Sequence, residues 1–154
     1  MNASGTGMEI LFREFRTGRR LVGKIPRGED LIRSVERFCE AASVETACFT
    51  VQGAVSSFTI GVYDQTQQVY VTHSKAAARE IVFCTGNISI QGGKPVAHDR
   101  SVLADESGDV TGGRLFSETL VFAAELEMTE WLGPALERDY DPETGMMLWR
   151  PPPQ

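Results

Sequence analysis

Residues 80–103 read EIVFCTGNISIQGGKPVAHDRSVL. Glu80 to Cys84 and Asn87 to Ile90 are short β-rich runs around Gly86, and Pro95 to Leu103 is another. Between them Gln91-Gly92-Gly93-Lys94 forms a hairpin connection, because paired glycines supply the positive φ that such turns need. Strands joined this closely lie antiparallel, so this stretch sets the fold class.

Upstream, Met8 to Phe15 alternates loosely as a first strand, and Thr17-Gly18 is expected to turn it back into Arg20 to Ile25. Pro26 and Gly28 precede the clearest helix. Asp30 is placed to cap it, while Leu31, Val35, Phe38 and Ala42 recur at helical spacing and Arg33, Glu36 and Glu40 take the wet face. The period then changes. Ala47 to Val51 is a strand, Gly53 a breaker, Val55 to Tyr63 a strand, Asp64 to Gln68 a turn and Val69 to Thr72 a strand. Ala76 to Ala78 fits a short helical turn, a loop or a strand entrance equally well.

Downstream, Asp105 to Asp109 is a polar turn and Gly112-Gly113 a second bend. Phe116 to Met128 is a long strand whose apolar run from Leu120 to Ala124 predicts coverage on both faces. In the tail, turn signals at Gly133-Pro134, Asp141-Pro142 and Thr144-Gly145 leave Leu136, Met147 and Trp149 to pin it to the core. Many short strands with one good helix describe an α+β fold, mainly an antiparallel β-sheet with flanking helices. One domain is expected over residues 8–150, with flexible termini at 1–7 and 151–154.

The chain has 154 residues, 42% of them apolar, enough for folding to bury roughly two thirds of the unfolded surface. Its 15 basic and 21 acidic residues give a net charge of −6, which disfavours nucleic acid as a partner. The charge is uneven. Residues 8–33 hold seven basic residues against four acids, whereas residues 101–145 hold eleven acids against Arg114 and Arg138. That asymmetry fits a basic patch or, more simply, charge pairing between the two ends. Phe12 and Phe15 interleave with Arg13 and Arg16, a pattern that suits base stacking but is commoner as one buried and one wet strand face.

Cys39, Cys48 and Cys84 stand apart in apolar contexts and read as small buried hydrophobes in a reducing compartment. No apolar run is long enough to span a membrane, and Met1 to Gly7 lacks the order of a signal peptide, so a cytoplasmic location is expected. Phosphate-binding and dinucleotide-binding glycine patterns are absent, and no cofactor is expected.

The ordered motifs Thr85-Gly86-Asn87-Ile88-Ser89, Gly93-Lys94-Pro95-Val96-Ala97-His98, Leu103-Ala104-Asp105 and Gly112-Gly113-Arg114-Leu115 strongly resemble the plants and prokaryotes conserved (PPC) domain. The similarity extends to Arg20-Leu21, the helix from Leu31 to Cys39, Ala47, Gly53 and the strand around Glu125. It implies a PPC-like α+β fold assembled as a homotrimer, with a role in assembly and in ligand or protein interaction. In this motif set Gly86, Asn87, Gly93, Pro95, Asp105, Gly112 and Gly113 are the structural positions. Plant members carry AT-hook segments ahead of the domain, and this chain has no such hook. Its Thr17-Gly18-Arg19-Arg20 reads as a hairpin tip.

Family members commonly carry His-x-His and a further His after the glycine pair, and some hold a metal there. The matching positions here are His98, Arg100 and Arg114. Arginine stays charged and offers a metal no lone pair, whereas its donors suit a carboxylate or phosphate. No metal site is therefore expected, and these three residues become candidate anion-binding groups for a small anionic ligand. Alternation along the strand sends Asp99 to the opposite face. Three readings stay open, one of them a metal retained through His98. The arginines pair with the domain's own acids, such as Asp105 or Glu118, or bridge subunits; or they form a ligand site.

DNA-binding or regulatory activity is one alternative, and a metal- or anion-dependent enzyme is another. A catalytic reading would take His98 as base, Asp105 or Glu106 to orient it and Cys84 as nucleophile, but nothing nearby lowers the thiol's pKa. Binding without turnover is the expectation. His73 reads as a surface histidine.

Overall fold

In a computed structural model, the structure describes residue 10 and residues 12–151. Nine strands and one helix follow in chain order: β1 (Arg16–Ile25), α1 (Leu31–Ala42), β2 (Ala47–Asp64), β3 (Val69–Lys75), β4 (Arg79–Gln91), β5 (Lys94–Ala104), β6 (Val110–Leu115), β7 (Leu120–Leu132), β8 (Arg138–Asp141) and β9 (Met146–Trp149). The first seven strands form one sheet in the order β1-β7-β2-β4-β5-β6, with β3 added beside β2. Every pairing in it is antiparallel. β6 also returns to β2 through Ile60↔Leu115 and Gly61↔Arg114, so the sheet curls back on itself. The architecture is thus α+β and dominated by an antiparallel sheet, with one flanking helix among the described residues where several were expected.

The helix starts where its cap allows. Asp30, in extended backbone, accepts a hydrogen bond from the Arg33 N–H at 3.0 Å, and Ser43 ends the helix at φ 56°. Leu31, Ile32, Val35 and Cys39 face the sheet. Phe38, expected in the core, is 38% exposed, because Cys39 lies nearer the centre of the buried stripe. Glu36, expected to be solvated, is half-buried and accepts the Ala97 N–H at 3.0 Å, linking α1 to β5.

Phe49, Ile60, Ile88, Leu103, Leu115 and Met128 are almost fully buried in one hydrophobic core cluster. Burying each such side chain contributes about 1.5–3 kcal/mol. Phe49, Leu103, Leu115 and Met128 alternate with more exposed neighbours, the period that the sequence shows most clearly, whereas Ile60 and Ile88 are each followed by a second buried residue.

Several expected breaks lie inside continuous strands. Gly53 does not divide β2, whose register shift between Thr50 and Gly53 takes up the irregularity. β4 likewise continues through Gly86, and β6 through Gly112 and Gly113. Thr17-Gly18 is no hairpin: β1 is a single strand with a shift between Thr17 and Arg20, because β7 supplies partners on both sides of the shift. Met8, Glu9 and Leu11 lie outside the described residues, as do 1–7 and 152–154, and residues 12–15 are not a strand. Phe12 is 77% exposed, while Phe15 packs 6.0 Å from Trp131 between ring centroids. β7 starts at Leu120, since Thr119 Oγ1 donates to the Phe116 carbonyl at 2.8 Å and holds residues 116–119 in a turn. The tail is itself a hairpin, β8–β9, in which Leu136 is buried but Trp149 is 48% exposed and does not pin it to the core.

The two oppositely charged ends do pair. Arg19 Nε donates to Glu130 at 2.7 Å and Arg20 Nη2 to Glu127 at 3.1 Å, so neither is a free basic group. No helix among the described residues is long and apolar enough to cross a membrane.

Candidate functional site

The β4–β5 ladder positions the first half of the site. Asn87 pairs with His98, Gly86 with Asp99 and Thr85 with Arg100. A side chain at Gly86 would collide with the His98 carbonyl and the Phe49 ring, so only glycine lets the two strands approach over the core here. His98 and Arg100 project into a cavity of about 800 Å³. Asp99 points the other way and is 1% exposed, where its Oδ2 accepts from Ser101 Oγ at 2.7 Å and the Leu115 N–H at 3.1 Å.

β6 brings the next cation. Gly113, at φ 153°, lies directly against the Gly61 carbonyl, and the close approach delivers Arg114 to the same cavity. The Arg114 guanidinium carbon sits 5.2 Å from the Phe116 ring centroid and 5.5 Å from that of Tyr70.

A third guanidinium comes from β8. Arg138 donates from Nε to Ser89 Oγ at 2.7 Å, from Nη1 to the Met147 carbonyl at 2.9 Å and from Nη2 to Asn87 Oδ1 at 3.0 Å. Its carbon lies 5.2 Å from the Trp149 ring centroid. All these partners are neutral.

No carboxylate lines the cavity among the described residues, although the protein carries 21 acids. Neither Arg100 nor Arg114 forms an ion pair among the described residues. Pairing with Asp105 or Glu118 is therefore not what occupies them. Asp105 accepts the Ser107 and Asp109 N–H groups of its own turn at 2.9 and 3.0 Å. Arg100 Nη1 donates instead to the Asp99 carbonyl at 2.7 Å.

The arginine charge marks its neighbours, and that of Arg114 also reaches Glu36 and Asp99, which lie outside the cavity lining. Burial, then Arg138, Arg114 and Arg100, push His98 down to about 3. Burial, then Arg114 and Arg100, lower Arg138 to about 10. His98 is thus a neutral imidazole near pH 7. Its Nε2, Arg114 Nε and Gln91 Oε1 are buried without hydrogen-bond partners, which folded proteins seldom tolerate.

A metal does not fit this donor set. His98 offers a single lone pair, three guanidinium groups repel a cation, and no group of three metal-ligating side chains comes together among the described residues. Nor are the residues of the catalytic alternative brought together. Cys84 is buried with its thiol pushed up to about 12, chiefly by burial, and does not line the cavity. Asp105 lines a separate hollow with His73, which is exposed.

Of the motif residues, Gly86 and Asn87 line the cavity, while Gly93 and Pro95 shape the β4–β5 hairpin and Gly112 pairs with Val102. Arg138 was not singled out from the sequence, nor were Tyr70 and Trp149 as walls. One signal existed: Arg114 and Arg138 are the two basic residues in the acid-rich run 101–145, and both reach the cavity.

The sequence profile of the Plants and Prokaryotes Conserved (PCC) domain matches residues 12–132. A metal-containing protein from Archaeoglobus fulgidus is similar in structure, with TM-score 0.86 and 36% identity, covering 93% of this chain and 99% of that one. A plant- and prokaryote-conserved protein from Pyrococcus horikoshii also has TM-score 0.86, at 28% identity, covering 94% and 100% respectively. A hypothetical protein from Salmonella cholerae-suis shares the fold at TM-score 0.75 and 16% identity, covering 90% and 95%. Comparison with curated proteins gives no match. The matched profile stops at residue 132, ahead of the β8–β9 hairpin that supplies Arg138.

Proposed function

The chain belongs to the Plants and Prokaryotes Conserved (PCC) domain family, and on that premise we propose that it is an oligomeric domain that binds a small anion. The observation that carries this reading is a cavity with three arginines and no carboxylate. Guanidinium groups that form no ion pair keep charge available for a ligand, and their forked donors match carboxylate and phosphate oxygens. Binding, rather than turnover, is the activity proposed.

Assembly as a homotrimer is part of the proposal. Val82, Phe83, Val110 and Phe122 are each more than half exposed, on three strands of the sheet. Apolar groups of this kind on a sheet are commonly covered by other subunits.

Isothermal titration with inorganic phosphate and with citrate tests the site. The wild type is expected to bind, and an Arg100→Ala/Arg114→Ala variant to lose at least tenfold in affinity. Equal affinities, or no binding by the wild type, would remove the anion reading. Light scattering behind size-exclusion chromatography tests assembly, where a monomer at micromolar concentration would exclude the trimer.

A further inference from the structure

We propose that the ligand of this cavity is an organic anion that joins a phosphate or carboxylate to a planar ring and carries hydroxyl or amino donors. This rests on the anion-binding reading above and goes on to name the ligand's class.

Size is the first argument. The cavity measures about 800 Å³, far more than a single inorganic anion fills and within the roughly 300–1,000 Å³ typical of sites for small organic molecules.

Its walls are the second. Tyr63, Tyr70, Trp131 and Trp149 line it together with the three arginines. Arg138 lies over Trp149 and Arg114 over Tyr70. Flat guanidinium and aromatic surfaces in one cavity stack a planar ring, as proteins do with bases.

Unpaired groups supply the third argument. Arginine only donates, so an anion can satisfy Arg114 Nε, but it leaves the buried Gln91 Oε1 without a donor. A ligand with hydroxyl or amino groups satisfies both. A net charge of −6 disfavours a long polyanion, which makes a free small molecule a better occupant than a nucleic-acid strand.

Four probes separate these elements by isothermal titration at fixed ionic strength: inorganic phosphate, ribose 5-phosphate, phenyl phosphate and adenosine 5′-monophosphate. The two phosphates that carry a planar aromatic ring should bind at least tenfold more tightly than the other two, and adenosine 5′-monophosphate more tightly than phenyl phosphate. Trp149 is 48% exposed in the terminal hairpin, so Trp149→Leu should fold normally, as checked by thermal unfolding. That variant should lose the ring advantage while keeping its affinity for phosphate. If phosphate binds as tightly as both aromatic probes, the planar ring is not recognised and this inference fails while anion binding stands. If none of the four binds, both fail.

Discussion

Arg138 Nη2 donates to the Asn87 side-chain oxygen at 3.0 Å, tying the β8–β9 hairpin to the strand that carries the family motif. The bond joins a residue beyond the matched profile to one of its motif positions. It also holds a third positive charge beside His98 without neutralising it.

Arg138→Leu should therefore affect binding and stability together. Three hydrogen bonds to neutral acceptors are lost, at about 0.5–1.5 kcal/mol each. Phosphate affinity by isothermal titration should fall at least fivefold, and the urea midpoint should drop. Unchanged phosphate affinity would take Arg138 out of the site.

The His98 imidazole predicts a pH dependence. Its folded value of about 3 lies below the ordinary 6.5, so between those values the unfolded chain binds a proton that the folded chain refuses. His98 therefore costs stability progressively as pH falls from about 6.5 towards 3, and its contribution is constant above that window. Glu36 and Asp99 act in the opposite direction, since burial raises both carboxyl groups. The informative quantity is thus the difference between wild type and His98→Gln in urea melts, which should favour the variant increasingly as pH drops through the window.

Gly86→Ala tests the close strand approach. A methyl group there meets the His98 carbonyl and the Phe49 ring, both fixed by the core. Destabilisation of about 1–3 kcal/mol is expected from such overpacking, read as a lower urea midpoint. A neutral result would mean that the ladder can spread at this point.

Thiol labelling gives an independent view of the cavity. Cys39 and Cys84 are buried, with both thiols pushed up to about 12 mainly by burial, whereas Cys48 lines the cavity and is half-buried. Under native conditions a maleimide should modify Cys48 first, as located by peptide mass spectrometry. Saturating adenosine 5′-monophosphate should slow the reaction, and labelling that starts at Cys84 would contradict the packing described.

What could be read in the chain was whatever depends on neighbours in sequence. Alternation marked the strands, Asp30 marked the start of α1, and Gly92-Gly93 marked a hairpin in which both residues do take positive φ. The same local logic misread Gly53, Gly86 and Gly112-Gly113 as breaks. A glycine breaks a strand only when no partner lies alongside, and here β2, β4, β5 and β7 supply partners or press close enough to exclude a side chain.

The site divides in the same way. Strand alternation puts His98 and Arg100 on one face, and the family resemblance adds Arg114 to them. Only the curled sheet and the terminal hairpin bring them together with Arg138, Tyr70 and Trp149, because those meetings depend on contacts far apart in the chain. Whether a charge is neutralised depends on what surrounds it in space. The sequence has acids enough for every arginine, and only the tertiary structure keeps them out of the cavity.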